Sequence, residues 1–443
     1  MSGNSAALPR AWYHGWNVVA VCILSQVAAN GLTYNTFSLF LRDWSAELHT
    51  PISRLQLSVA AMALVSAFLA PVVGALADKY PARRLFTFGL LGMALFYVAI
   101  SAVTQAWQIV ALYGLLVPLA LVLSTAVTTN ALISRWFVRR LGLAFGLSAF
   151  GIGMAGVLLP PLIAALLPTV GWRWIWRGAG VLVAVVVTPL VVLVSRDRPT
   201  EAEGAHYLTG DAGAAGAHGH GHGGAPRGSQ LTWRDVTARK NFWLLVAIYL
   251  PMMALYGGCA QNLAPYAASH GLGSQAGGAL LSVLSLSHVI ATLVLGLVSD
   301  RFGNRLPFAG LAVVMVIGAA VLAFSSSVPA MTVGCVLVGF GGGLFTLLAS
   351  AIALEFGAAG VGRAFGLCML FIPVTGLAPF IIAKTQENTG SYAPGLLSLA
   401  VPVIIAGMLA LLLRERRDGP PTDATWAAAE PESSANGVPG GAG

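Results

Sequence analysis

One long apolar segment of this chain ends with Gly74-Ala75-Leu76-Ala77-Asp78-Lys79-Tyr80-Pro81-Ala82-Arg83-Arg84, and another ends with Gly296-Leu297-Val298-Ser299-Asp300-Arg301-Phe302-Gly303-Asn304-Arg305. In both stretches a glycine precedes an aspartate by four residues, and a basic cluster that contains a turn-forming residue follows. A second repeat has almost the same offset: Ala144-Phe145-Gly146-Leu147 recurs as Ala364-Phe365-Gly366-Leu367. Two repeats at nearly one offset predict a membrane protein built from two homologous halves.

The composition is that of a protein built for a lipid bilayer. Of its 443 residues, 57% are hydrophobic and only 9% are charged, whereas a soluble domain carries about 25% charged residues. The first apolar run is too long for the core of a signal peptide, so we expect no cleaved leader. The net charge of +8 comes from basic residues in short loops, which argues against a nucleic-acid partner. The four cysteines lie in apolar runs without metal or redox spacing, so no metal or cofactor is expected.

Twelve apolar runs approach the length of about 20 residues that a spanning helix needs. They are long and continuous and lack the alternation of barrel strands, so they are predicted to be helices. The predicted fold is an all-α membrane protein with twelve transmembrane helices in two six-helix, pseudo-symmetric halves. The predicted spans are residues 14–41, 55–77, 85–103, 107–132, 142–167, 174–195, 241–268, 275–299, 306–325, 330–354, 361–383 and 393–413.

The predicted organisation is an N-terminal half at 1–195, a linker at 196–240, a C-terminal half at 241–417 and a tail at 418–443. The middle of the linker is mostly Gly, Ala and His, which cannot form a core, so we expect disorder there and in the tail. The run His218-Gly219-His220-Gly221-His222 allows weak metal chelation, but glycine spacers give no preorganised geometry and favour disorder without that function. Residues 231–240 are predicted to form a short amphipathic piece before the seventh span.

Basic residues are distributed unevenly between the two sides of the predicted bundle. Most of the 24 Lys and Arg lie in the N-terminal segment, the linker, the tail and the loops that share their side. The positive-inside rule therefore places both termini and the linker in the cytoplasm. We expect a multi-pass protein of the plasma (inner) membrane.

Twelve spans in two halves, with a Gly-x-x-x-Asp-basic motif after the second and the eighth, resemble the major facilitator superfamily. Finer features resemble the monocarboxylate transporter family and its bacterial relatives. These features are Gly15-Trp16, Arg135-Trp136-Phe137-Val138-Arg139-Arg140-Leu141-Gly142-Leu143-Ala144, Gly171-Trp172-Arg173 and Leu263-Ala264-Pro265-Tyr266. The resemblance covers nearly the whole chain and implies a secondary transporter that binds a small molecule and works as a monomer.

The repeated motif also has a physical rationale of its own. Its glycine lets two helices approach closely, and its aspartate, at a helix end, can pair with an arginine or with a helix N-terminus. In the superfamily this motif belongs to the cytoplasmic gate, so the resemblance assigns gating to Asp78, Arg83, Asp300 and Arg301. The alternative is a charged loop at the membrane surface with no gating role.

Polar side chains at membrane depth are costly, and each one is a functional hypothesis by default. In the superfamily, spans one, four, seven and ten line a central cavity, to which span eight contributes. Polar residues in four of these spans are the predicted substrate-binding residues: Gln26, Asn30, Tyr34, Asn130, Asn262, Tyr266, His288 and Thr292. Each of them alone is equally well explained as an interhelical hydrogen bond that stabilises packing.

His288 is the candidate for proton coupling, because imidazole titrates near neutral pH and every Asp and Glu lies in a loop, a tail or at a helix end. A structural histidine bonded to a carbonyl group is the alternative. Monocarboxylate transporters carry an Asp and an Arg in span eight and a Lys in span one. In this chain His288 lies at the position of the Asp and Thr292 at that of the Arg, and the position of the Lys falls near Thr33. A carboxylate at the midplane needs a cation or several donors, which leaves amides, hydroxyls and protonated His288.

The predicted function is secondary active transport of a small organic acid, alone or with a proton, by alternating access. The nearest alternative keeps the fold and moves a neutral or amphipathic compound, by export or facilitated diffusion, and the missing cations favour it. A membrane sensor or scaffold is a further alternative, supported only by the His-rich linker. An enzyme is not expected, because the sequence has no nucleophile–base pair, P-loop or metal spacing.

Overall fold

The computed structural model describes residues 14–137, 141–196 and 233–413, although not every side chain within these ranges. The side chains of Asp78, Asn130 and Asp300 lie outside the description. The histidine run, most of the predicted linker and the predicted tail at 418–443 also lie outside the described residues.

Twelve helical segments in the described part of the chain are long and apolar enough to cross a membrane, which confirms the predicted all-α architecture. We number them spans 1 to 12. The helices of spans 1 to 6 are Gly15–Asn30, Gly31–Asn35 and Phe37–Glu47; Ile52–Lys79; Ala82–Ile100; Ala106–Ser124 and Ala126–Trp136; Leu141–Val170; and Trp172–Leu182, Val183–Val187 and Thr188–Val194. The helices of spans 7 to 12 are Lys240–Ser269; Ser274–Phe302; Arg305–Phe324; Val328–Gly339, Phe340–Gly343 and Leu344–Met369, which also begins span 11; Ile372–Leu377 and Ala378–Thr389; and Ala393–Ala410.

Consecutive spans run in opposite directions, so each half begins and ends on the same side of the bundle. We call the side where span 6 ends and span 7 begins the linker side, and the opposite side the far side. On the linker side, a five-residue helix at Trp233–Thr237 precedes span 7 and buries Val236. This helix lies within the predicted amphipathic piece.

Glu355, near the linker-side end of span 10, binds the start of span 7 through both its carbonyl oxygen and its carboxylate. Arg239 donates to the Glu355 carbonyl oxygen at 2.6 Å, and Asn241 donates to its carboxylate at 2.8 Å. The guanidinium of Arg239 also lies 5.1 Å from the ring centroid of Phe356. These contacts lie within the C-terminal half.

Five spans are interrupted within the membrane, where the sequence pattern predicts continuous helices. Spans 1 and 6 contain π-helical segments, spans 10 and 11 contain 3₁₀ segments, and span 4 breaks at Thr125. The segment of span 10, Phe340–Gly343, is mostly glycine, which lowers its helix propensity. Interrupted helices at membrane depth commonly line cavities or binding sites.

The two copies of the repeated motif end their helices with different turn formers. Span 8 ends at Phe302, and Gly303 follows with a φ of +76°, where a side chain would strain the backbone. Span 2 ends at Lys79, and Pro81 is the N-cap residue of span 3, which begins at Ala82. The turn therefore lies at the same place in both halves, but it is formed by a glycine in one copy and by a proline in the other.

A cluster of buried aromatic rings joins the far-side ends of spans 1, 3, 4 and 6. Trp44 stacks on Trp176 with a centroid distance of 6.1 Å, and Phe40 lies 5.0 Å from Trp176. At the rim of the cluster, Arg173 pairs with Glu47 at 2.7 Å. Arg173 also donates to two carbonyl oxygens of the loop between spans 3 and 4. This packing fixes the far-side end of span 1.

The two halves meet along the far side of the bundle. In span 8, Ser282 donates to the Val157 carbonyl oxygen of span 5 at 2.7 Å. A Cβ on Gly376 of span 11 would lie 3.0 Å from the Cα of Ala60 in span 2, so these backbones touch. Every hydrogen bond between the halves whose two partners are described lies on the far side or near the centre. The far side is therefore closed.

Candidate functional site between the halves

Span 1 places a π-helical segment near the centre of the bundle. The segment covers Gly31–Asn35, and Thr36 donates its backbone N–H to the Gly31 carbonyl oxygen. A side chain on Gly31 would overlap Leu159 of span 5, so glycine permits the close approach of these spans. The carbonyl oxygen of Thr33 accepts a bond from the Tyr113 hydroxyl at 3.3 Å. Such bulges are frequent at functional sites, and this one carries Tyr34.

Tyr34 connects the N-terminal half to span 7 of the other half. Its carbonyl oxygen accepts a hydrogen bond from the side-chain amide of Gln261 at 3.3 Å. Its hydroxyl lies 3.9 Å from the position that a Cβ would take on Gly257. Tyr34 thus lies at the junction of the halves, near the middle of the membrane.

Gln26 and Asn30 lie together one turn before this bulge. The Asn30 amide donates to both the carbonyl oxygen and the side-chain oxygen of Gln26, each at 3.2 Å. Gln26 is only 3% exposed, whereas Asn30 is half-buried. Of this pair, Asn30 is the better placed to meet a solute.

His288 lies at the middle of span 8, and its Nδ1 lies 2.8 Å from the hydroxyl of Tyr256 in span 7. The ring packs against the glycine segment of span 10, where a Cβ on Gly342 would lie 2.6 Å from the His288 Cβ. The hydroxyl of Thr292 donates to the His288 carbonyl oxygen at 2.9 Å. The predicted pair of His288 and Thr292 is therefore adjacent, but Thr292 uses its proton on its own helix.

The Tyr256–His288 pair can persist in both protonation states of the imidazole. A phenolic hydroxyl donates to Nδ1 of neutral imidazole and accepts from the N–H of imidazolium, because it is both a donor and an acceptor. The second ring nitrogen can meanwhile gain or lose a proton. The pair is thus suited to holding one exchangeable proton at membrane depth.

Asn262 and Tyr266 bond to protein groups in this conformation. The Asn262 amide donates to the carbonyl oxygens of Gly258 and Pro379 at 2.9 and 3.0 Å, and its own oxygen accepts from Gln56 at 3.2 Å. The Tyr266 hydroxyl donates to the Leu322 carbonyl oxygen at 2.7 Å. The structure does not bring these two side chains together with His288.

The predicted gate residues lie at the linker side, where spans 2 and 8 end. Arg83 and Arg301 are exposed, and the Arg301 guanidinium lies 5.7 Å from the ring centroid of Phe302. Their predicted partners Asp78 and Asp300 are among the side chains that the structure does not describe.

Sequence reasoning missed Tyr256, Gln56 and the glycine segment of span 10. Tyr256 lies in an apolar run, where an aromatic residue is ordinarily interpreted as part of the hydrophobic packing. Gln56 lies four residues into its helix, close to the helix end, where a polar residue gives no sign of a functional role. The run Gly341-Gly342-Gly343 carried a usable signal, since glycines in a row weaken a helix and admit a bulky neighbour.

A family model described as the Major Facilitator Superfamily matches residues 23–372 and, in a second match, residues 260–436. The chain belongs to this superfamily. The predicted family is thereby confirmed, and the protein is a membrane-embedded transporter.

Named superfamily proteins match much of the chain. MFS-type transporter 1 of Ophiocordyceps sp. (strain BCC 1869) is 24% identical over 440 residues, which cover 94% of this chain and 89% of that protein. An uncharacterized MFS-type transporter of Escherichia coli (strain K12), YhjX, is 26% identical over 80% of this chain and 84% of its own. Monocarboxylate transporter 13 of Bos taurus is 30% identical over 185 residues, or 42% of each chain.

The fold is also that of solved superfamily members. The crystal structure of a bacterial homolog to the human lysosomal transporter Spinster, in an inward-facing and unoccupied conformation, matches with a TM-score of 0.71. The match covers 91% of this chain and 97% of that chain at 14% sequence identity. It confirms the twelve-helix superfamily fold.

Proposed function

We propose that this transporter moves a small organic acid of the monocarboxylate class, together with a proton, across the plasma membrane by alternating access. Its linker side and both termini face the cytoplasm, and it works as a monomer. The observation that carries the proposal is the 2.8 Å contact between His288 and Tyr256 near the midplane.

The physical argument rests on the cost of a carboxylate at membrane depth. Such a group needs a cation or several hydrogen-bond donors. Protonated His288 supplies that cation, and the carboxylate in turn favours the charged imidazole, because opposite charges stabilise each other in a medium of low dielectric constant. Acid and proton therefore bind as a pair whose net charge is zero. Such coupled binding is what a proton symporter requires.

We assign the substrate contacts to His288, Asn30 and Tyr34. Asn30 and Tyr34 offer an amide and a hydroxyl from span 1, at the junction where the halves meet. Gln26, Asn130, Asn262, Tyr266 and Thr292 stay predicted substrate-binding residues. The partial similarity to monocarboxylate transporter 13 of Bos taurus supports the substrate class.

We assign the linker-side gate to Asp78, Arg83, Asp300 and Arg301. The two motif copies end spans 2 and 8 at corresponding places in the two halves. Alternating access requires a contact on this side that forms when the far side opens. The duplicated charged turn fits that requirement.

A neutral or amphipathic cargo, moved by export, is the second candidate. Every Lys and Arg within the spans lies within about two turns of a helix end. No permanent cation therefore reaches the midplane from within a span, and protonated His288 is the only charge that this part of the chain offers. A neutral cargo would need only the amides and hydroxyls.

Uptake into proteoliposomes separates the two candidates. Radiolabelled monocarboxylates and neutral analogues of the same size are offered with and without an inward proton gradient, to native protein and to His288→Ala. We expect gradient-stimulated uptake of an acid that His288→Ala abolishes and that Thr332→Ala leaves unchanged. Thr332 is half-buried and bonds only to its own helix among the described contacts. Uptake of neutral compounds alone, indifferent to the gradient and to His288, would overturn the proposal.

A further inference from the structure

The first turn of span 2 on the far side lacks a cap of its own. Pro51 precedes the helix in an extended conformation, contributes no side-chain hydrogen bond, and no acidic residue follows in the first turn. The first N–H groups of a helix have no partner within it and favour a carboxylate. This turn faces span 11 of the other half.

Glu387 of span 11 supplies the missing cap from across the interface. Its Oε1 accepts the backbone N–H of Ser53 at 2.9 Å, and its Oε2 accepts the Ser53 hydroxyl at 2.8 Å. Ser53 is 2% exposed, and the Glu387 side chain is 21% exposed. The ammonium of Lys384, in the same helix as Glu387, lies 3.4 Å from Oε2.

A second contact lies one turn deeper in span 2. The amide of Gln56, fully buried, donates to the Gln261 carbonyl oxygen at 2.9 Å and to the Asn262 side-chain oxygen at 3.2 Å. Asn262 in turn donates to the Pro379 carbonyl oxygen of span 11 at 3.0 Å. Two polar residues of span 2 therefore join this span of the N-terminal half to spans 7 and 11 of the C-terminal half at the far side.

We propose that Ser53–Glu387 and Gln56–Asn262 form a far-side latch that sets how often the transporter opens toward that side. The inference rests on the alternating access proposed above. When the halves separate on the far side, span 2 loses its cap, and the side chains of Ser53 and Gln56 lose their partners in the other half. Asn262 loses one of its three bonds and keeps the two within its own half. Water can replace these partners once the far side opens, but a hydrogen bond within the protein keeps a net advantage over the hydrated groups, and the advantage is larger when the acceptor is a carboxylate. The latch therefore favours the conformation closed on the far side.

The test measures the opening of the far side directly and needs no substrate. Spin labels on Ala102→Cys and Ser326→Cys, exposed loop residues of the two halves on the far side, report the distance between the halves. The four native cysteines are buried, so the labels attach to the introduced pair. In Glu387→Ala we expect the longer-distance population to rise about tenfold, the equivalent of about 1.4 kcal/mol.

Two further variants keep the result interpretable. Lys384→Ala removes a residue that touches only Glu387 of the latch, and we expect it to leave the distribution nearly unchanged. Gln56→Met keeps the side-chain volume, removes the deeper contact and should also raise the open population. Glu387→Ala and Gln56→Met proteins that melt like the parent and show its distance distribution would overturn the latch. Because transport is not measured, a failure of organic-acid uptake leaves this result standing.

Discussion

The hydroxyl of Tyr256 in span 7 and Nδ1 of His288 in span 8 lie 2.8 Å apart near the middle of the membrane. Two helices of the C-terminal half therefore share one titratable group at a depth where charge is costly. The proposed coupling of acid to proton depends on the orientation that this contact gives to the imidazole.

Replacement of Tyr256 by Phe keeps the ring and removes only the hydroxyl. We expect the maximal uptake rate to fall roughly fivefold, since a typical hydrogen bond contributes about 1 kcal/mol. The dependence of uptake on pH should also change shape, which a purely structural role would not produce. An unchanged pH profile in Tyr256→Phe would argue against the pair.

Gly342→Ala tests whether the glycine segment of span 10 makes room for His288. The added methyl would lie 2.6 Å from the His288 Cβ, so the imidazole must move. We expect a loss of about 1–3 kcal/mol of stability and strongly reduced uptake. Gly310→Ala, where a Cβ meets nothing within 4 Å, should leave the melting temperature and uptake unchanged or slightly raised. Equal effects of the two substitutions would contradict this role of Gly342.

Asn30 and Asn262 should respond differently to alanine. Asn262 is almost fully buried and bonded to three protein groups, so Asn262→Ala should lower stability by about 1–3 kcal/mol. Asn30 is half-buried and bonds only to Gln26 among the described contacts, so Asn30→Ala should raise the KM for the acid with little change in melting temperature. Melting curves and uptake kinetics of both variants check this. A loss of stability in Asn30→Ala together with a raised KM in Asn262→Ala would contradict the assignment of Asn30 to the substrate and of Asn262 to the packing.

The Glu47–Arg173 pair predicts a pH dependence of stability at the far side. Hydrogen bonds from Arg173 hold the pKa of the Glu47 carboxyl below its usual range. A depressed folded-state pKa stabilises the protein above the unfolded-state pKa, and this stabilisation is lost as pH falls through the folded-state pKa. Because the pair is partly exposed, we expect at most about 1 kcal/mol.

The measurement for this pair is the melting temperature of native protein and Glu47→Gln across the acidic range. The two proteins should differ near neutral pH and converge once the native carboxyl is protonated. A difference that persists below that range would show that packing, and not charge, holds the contact.

The sequence predicted the twelve spans and the two halves because apolar length and an internal repeat are local signals. It predicted Gln26 and Asn30 as neighbours for the same reason, since they are four residues apart on one helix. The partners of His288 and Asn262 were not predictable in this way. Tyr256, Gln56 and Pro379 lie on other spans, and only the packing of the helices brings them close.

The interruptions of the spans also escaped prediction. The π-helical segment at Gly31–Asn35 looks like ordinary helix in sequence, and its form depends on contacts with spans 4 and 5. The capping of span 2 by Glu387 joins residues far apart in the chain, and a carboxylate near a helix end gives no sign of its partner. Contacts between the halves depend on the conformation that the transporter adopts.

The most direct test of the account is whether acid entry carries protons through His288. Proteoliposomes with an internal pH indicator receive an inward gradient of the transported acid without a pH gradient, beside protein-free liposomes that report passive entry. We predict internal acidification above the passive rate for native protein and only the passive rate for a folded His288→Ala. Protein-dependent acid entry without added acidification, or acidification unchanged in His288→Ala, would contradict the proposed mechanism.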